Sequence, residues 1–164
     1  MEDKKKKILY IVTQAEWGGA QKYIFDLATN LAETFDITIA TGSNGHSQEL
    51  LNRSQSASIK TVTFKQLKRE ICPWHDLMAI GEITSFLKQN NFDIIHLNSS
   101  KAGVIGAIAG RINKTPKIIY TAHGWVFKES LPFCKRWLYL LMEKLALIRK
   151  RKKYCFKKQN CQKR

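Results

Sequence analysis

Three short segments of the chain carry residue types suited to holding a phosphorylated ligand and acting on it. The first is Gly18-Gly19-Ala20-Gln21. Glycines let backbone amides approach a phosphate, and amides at the start of a helix favour an anion. The same pair also reads as a tight turn without a ligand, and on its own it does not choose between the two. The second is Asn98-Ser99-Ser100-Lys101. Two hydroxyls and an ammonium at a helix start can bind an anion or the hydroxyls of an acceptor. Helix capping accounts for one of the serines with no ligand at all. The third is Tyr120-Thr121-Ala122-His123-Gly124-Trp125. A lone histidine is most often a satisfied hydrogen-bonding group. Here it leaves the end of an apolar run beside a glycine, and that position favours a role at a site.

These segments sit between elements that follow a regular order. Ile8–Thr13 is a continuous apolar, β-branched run and reads as a strand buried on both faces. Ala20, Tyr23, Ile24, Leu27, Ala28, Leu31, Ala32 and Phe35 recur with helical period over four turns. Further strands are expected at 37–41, 59–64, 93–97 and 117–121, with 59–64 at an edge because polar residues interleave its apolar ones. Helices are expected at 47–53, 76–89, 101–113 and from about 132 to 150. Leu77, Ile80, Ile83 and Leu87 line one side of the third helix. The fourth is apolar nearly all round and should be buried, with Gly103, Gly106 and Gly110 allowing close packing on the sheet. Strict alternation predicts an α/β fold: a single Rossmann-like domain with a doubly wound parallel sheet of about five strands and helices on both faces. In such sheets ligands bind at the carboxyl ends of the strands, where all three segments fall.

Several functions are disfavoured by what is missing. There is no GxGxxG, and the second strand runs into Thr41-Gly42-Ser43-Asn44 without the acid that would hold a ribose, so a dehydrogenase is not expected. GxxxxGK[ST] and GxSxG are absent as well. His46, His75 and His96 are isolated, the four cysteines show no finger spacing, and no metal site is expected. Glu16, in the first loop, reads as a solvated carboxylate or an acid–base group. The net charge of +15 suggests nucleic acid, but its distribution does not. Nine Lys or Arg lie in residues 149–164, and without them and Lys4–Lys7 the body carries only +2. Terminal charge runs are usually solvated, and no nucleic-acid partner is expected. No apolar run is long enough to span a bilayer and none resembles a cleavable leader, so a cytoplasmic protein is expected, at most at the inner face of the membrane.

Lys6–Gln21 (KKILYIVTQAEWGGAQ), Asp93–Gly106 (DIIHLNSSKAGVIG) and Ile119–Phe127 (IYTAHGWVF) together resemble the N-terminal domain of family 4 glycosyltransferases of the GT-B fold, over roughly residues 6–148. The resemblance implies a retaining enzyme that uses a nucleotide sugar, needs no metal or other cofactor, and serves polysaccharide or glycolipid synthesis at the cell surface. It implies that Gly18 and Gly19 lie against the donor diphosphate and that His123 is the catalytic histidine near the reaction centre. Gln21, Asn98, Ser99, Ser100 and Lys101 would line the cleft on the acceptor side. Asn98 departs from the family pattern, which often has a histidine there. The family continues into a second domain that carries a paired-glutamate motif and most nucleotide contacts. Here domain 1–148 is followed by a basic segment, 149–164, without an expected match. The expectation is a truncated or frame-shifted acceptor-side domain, inactive alone. Two alternatives stand beside it. One is the subunit of a split enzyme whose partner chain carries the donor domain. The other is a non-enzymatic fragment that binds an anionic membrane through its last amphipathic helix and basic end.

Overall fold

The computed structural model describes residues 5–43 and 47–123. The expected last helix, the segment 149–164, His46 and the pair Gly124-Trp125 lie outside the described residues. Nine elements alternate along the described chain: β1 (Lys7–Val12), α1 (Gly19–Leu31), β2 (Asp36–Gly42), α2 (Glu49–Ser56), β3 (Lys60–Phe64), α3 (Pro73–Asn90), β4 (Ile94–Leu97), α4 (Ser100–Ile112) and β5 (Lys117–Tyr120). All strand pairs are parallel, in the order β3-β2-β1-β4-β5. β1 is central, with Ile8 opposite Ile37 on one side and Ile94 on the other.

The two-residue period of β1 divides the core. Leu9 and Ile11 face a layer with Ala79, Ile83 and Leu87 of α3 and Ala102 and Ile105 of α4. Ile8, Tyr10 and Val12 face Ile24 and Ala28 of α1 and Leu50 of α2. Helices therefore cover both faces of one five-stranded sheet, as the alternation predicts, and the continuous apolar run of β1 is explained by burial on both sides. β3 pairs with β2 alone, in the edge position that its polar residues suit.

Two helices differ from expectation. α3 begins at Pro73, a residue whose missing N–H costs nothing in a first turn, and ends at Asn91 in the left-handed region. Its buried side is Ala79, Ile83 and Leu87, with Ile80 packed against the same core, while Leu77 is 62% exposed and departs from the expected stripe. α4 is not buried all round, because Ile108 and Ile112 are exposed on the side away from the sheet. Its glycines do pack as expected. A Cβ on Gly106 would lie 2.3 Å from Leu97 Cδ2, and one on Gly110 would lie 2.9 Å from Ile95 and Ile118. α4 thus sits closer to β4 and β5 than a helix with side chains at those positions could.

Candidate functional site

The strand order reverses beside β1: the chain steps outward through β2 and β3, then crosses to β4 on the other side. The loops after β1 and β4 therefore diverge, and a crevice opens at their carboxyl ends. Two hollows among the described residues lie at the opposite edge. One is lined by Lys5, Asp36 and Lys60, the other by Asn91, Asp93 and Pro116. They lie away from the loops that topology directs toward a ligand.

The loop after β1 is held from several sides. Leu50 N donates to Ala15 O at 3.0 Å, joining it to α2. Trp17 stacks edge-on against Phe25, and the Arg53 guanidinium lies 4.0 Å above its ring. Gln21 folds back so that Nε2 donates to Gln14 O at 2.9 Å. Gly18 is the N-cap of α1 in extended backbone, and no side chain caps the helix. Packing explains neither glycine. A Cβ on Gly19 would meet nothing within 4 Å, and one on Gly18 would meet only the flexible end of Gln21, at 3.2 Å. What they leave is an open approach to the first-turn amides of α1.

Across the crevice, Ser99 caps α4 through Ala102 N and also receives Thr13 N, each at 3.3 Å. Its hydroxyl lies 2.6 Å from Thr13 Oγ1. Ser99 therefore ties the carboxyl end of β1 to the start of α4. Ser100 is half-buried in the first turn. Lys101 requires a correction. Its ammonium is buried and meets Asp76 Oδ1 at 2.6 Å and the Glu70 carbonyl, linking α4 to the start of α3. It is a structural cation, committed to that pair rather than presented to a ligand. A lysine in a helix's first turn faces the positive end of the helix dipole, and Asp76 offsets that.

The loop after β5 completes the cluster. His96 Nε2 lies 2.8 Å from Thr121 Oγ1, and its ring is tilted against Tyr10 at 5.1 Å. Burial, and then the neighbouring His123, push the His96 pKa down to about 4. His123 keeps one side open, while shielding of the other lowers its pKa. Its Nε2 is 3.3 Å from Asn98 Oδ1. Tyr23, one turn into α1, meets His123 edge-on at 4.9 Å and His96 at 6.3 Å. This ring joins the glycine-loop helix to the β5 loop, so all three sequence segments converge on one place. Thr13, Tyr23 and Asp76 are not legible as site residues in the sequence, since a strand end, a helix-face aromatic and a helix-start acid carry no motif, whereas Thr121 lies within the third segment without a role assigned to it. Among the described residues no three His, Cys, Asp or Glu are grouped to hold a metal ion.

The profile of Glycosyltransferase Family 4 matches residues 17–156, most of the chain. The chain belongs to Glycosyltransferase Family 4. The match runs past 148 into the basic segment. An Escherichia coli UDP-Gal:alpha-D-GlcNAc-diphosphoundecaprenol alpha-1,3-galactosyltransferase is 27% identical over 93% of this family 4 chain and 41% of its own length. The Staphylococcus aureus capsular polysaccharide biosynthesis glycosyltransferase CapM is 36% identical over 50% of this chain and 21% of its own. The Anabaena HepE protein, solved with UDP and glucose, superposes with a TM-score of 0.63 at 20% identity, covering 84% of this chain and 35% of that one. The family 4 chain thus spans well under half the length of these relatives, and this structural likeness establishes the Rossmann-like fold.

Proposed function

We propose that this chain is the acceptor-side N-terminal domain of a glycosyltransferase that moves a sugar from a nucleotide-sugar donor to a saccharide or lipid-linked acceptor in cell-surface polysaccharide or glycolipid synthesis. The observation that carries the reading is the convergence at the β1–β4 crevice of an uncapped glycine start of α1 with His123. Backbone amides aimed at the donor diphosphate stabilise the charge that develops on the leaving group. His123, whose pKa partial burial lowers, lies across from them and serves in this reading as a hydrogen-bonding group at the reaction centre.

The described residues form one wall of a cleft, so transfer requires a second wall, on the same polypeptide or a partner chain. The test is to assay the chain with and without a donor-binding domain from a family relative, using UDP-sugars and a diphospholipid-linked saccharide. Transfer is expected only from the complemented pair, and His123→Ala should lower its rate at least ~100-fold, the range of a positioned catalytic group. Turnover by the chain alone, or a near wild-type rate for His123→Ala, would reject the respective claim.

The place of work is proposed to be an anionic membrane surface. Trp74, Leu77 and Met78 form an exposed apolar stripe on the first turns of α3. Lys65, Lys68 and Arg69 immediately precede it, in the loop that Glu82 holds against α3 through Lys65 N and Gln66 N. Apolar anchors beside cations suit a surface of anionic lipid. No helix among the described residues is long and apolar enough to cross a membrane.

A further inference from the structure

Asn98 is 1% exposed and directly follows β4, and its backbone N–H and both side-chain polar atoms have partners. Its backbone N–H donates to Ile11 O at 2.8 Å. Its Nδ2 lies 2.9 Å from the His96 carbonyl oxygen. Two acceptor oxygens at that separation would repel, so the amide nitrogen must stand there and the amide oxygen must turn the other way. That oxygen is the atom 3.3 Å from His123 Nε2. An amide oxygen only accepts, so Nε2 carries the hydrogen.

We infer that Asn98 is a positioning residue that holds His123 as its Nε2–H tautomer and leaves Nδ1 as the ring's acceptor. The inference rests on the reading of His123 as the group at the reaction centre. A neutral imidazole has one donor and one acceptor nitrogen, and the partner of one decides the job of the other. The order of commitment runs outward from the core: β1 fixes the Asn98 backbone, β4 fixes its amide, and the amide fixes the ring. The titratable groups facing the ring are Tyr23 from α1 and His96 from β4. Thr121 occupies His96 Nε2 and keeps that second imidazole turned to β5. A charged residue at position 98 would undo the arrangement, because a carboxylate facing Nε2 favours the imidazolium, which has no acceptor nitrogen.

The full chain, labelled with nitrogen-15, provides the test at neutral pH. Long-range proton–nitrogen correlation distinguishes protonated from bare ring nitrogens, and the His123 signals are those lost in His123→Gln. A protonated Nε2 and a bare Nδ1 are expected. A proton on Nδ1, or signals averaged between the two forms, would overturn the proposal, and this readout needs no variant of Asn98 to fold. In Asn98→Asp the His123 pKa should rise by about 1–2 units, and the acid limb of the complemented enzyme's pH–rate profile should move up with it. An unmoved pKa in a folded variant would also overturn it. The tautomer is read without turnover, so a failure of sugar transfer would strike the proposed function and leave this assignment standing.

Discussion

The buried pair Lys101–Asp76 and the buried imidazole of His96 show how differently two polar residues beside one crevice are used. Lys101 spends its charge on Asp76 and Glu70 O. Lys101→Met should therefore destabilise the fold by about 3 kcal/mol, because it strands a mostly buried carboxylate. Adding Asp76→Asn should return part of that loss, as read by urea unfolding of the two variants. A Lys101→Met protein of wild-type stability would show that the ammonium is not needed by the fold and is available to a ligand. His96 has its pKa held near 4, below the value of an unfolded histidine. The unfolded chain therefore takes up this proton at higher pH than the folded one does. The contribution is complete above about pH 6.5, declines as pH falls through the interval to about 4, and amounts to about 3 kcal/mol. His123 adds to the loss in the same direction. Unfolding free energies measured between pH 7 and 4 should fall on this account, and His96→Phe should flatten the curve. An unchanged slope in that variant would show that other groups drive the acid sensitivity.

At the scale of elements, glycines sort themselves by what a methyl group would meet. At Gly42, which ends β2, a Cβ would lie 1.8 Å from Leu67 O and 2.6 Å from Thr13 O, both backbone atoms that cannot step aside. Gly42→Ala should cost at least about 3 kcal/mol or prevent folding, as overpacking against fixed atoms does. Gly81, on the exposed side of α3, would place its methyl in open space. Gly81→Ala should stabilise by about 0.5–1 kcal/mol through helix propensity alone. Gly19 also opens on space, and Gly19→Ala should leave the fold intact or slightly firmer. The same change should weaken UDP-sugar binding by the complemented enzyme several-fold, because the methyl stands on the approach to the α1 amides. Thermal unfolding and titration calorimetry separate the two effects. Unaltered donor affinity in Gly19→Ala would leave the glycine pair as a plain turn.

For the molecule as a whole, a parallel sheet that reverses its strand order beside β1 makes one edge receptive, and α3 brings an apolar, cation-flanked stripe to the same edge. The two features suit an acceptor presented at a bilayer. Flotation with vesicles containing phosphatidylglycerol should carry the chain upward, and a Trp74→Ser, Leu77→Ser double variant should lose at least half of that recovery. Each change removes an exposed apolar group and no core contact, so stability should hold within about 0.5 kcal/mol. Equal flotation of the variant would move membrane contact elsewhere on the chain.

Alternating periods in the sequence determined the element order, the layer architecture, the edge position of β3 and the close packing at Gly103, Gly106 and Gly110, because burial of apolar faces acts through local spacing. The same logic placed the three loops at the carboxyl ends of the strands. It could not assign partners within them. Lys101 and Ser99 stand two residues apart beside the crevice, yet one is drawn to α3 and the other to β1. Leu77 carried the helical period but missed the packed face, since the phase of α3 is set by α4 and the sheet rather than by its own residues. The tautomer of His123 is the furthest from sequence. It depends on a carbonyl of β4, an amide held by β1 and a loop after β5, and only the folded sheet brings those three within hydrogen-bonding distance.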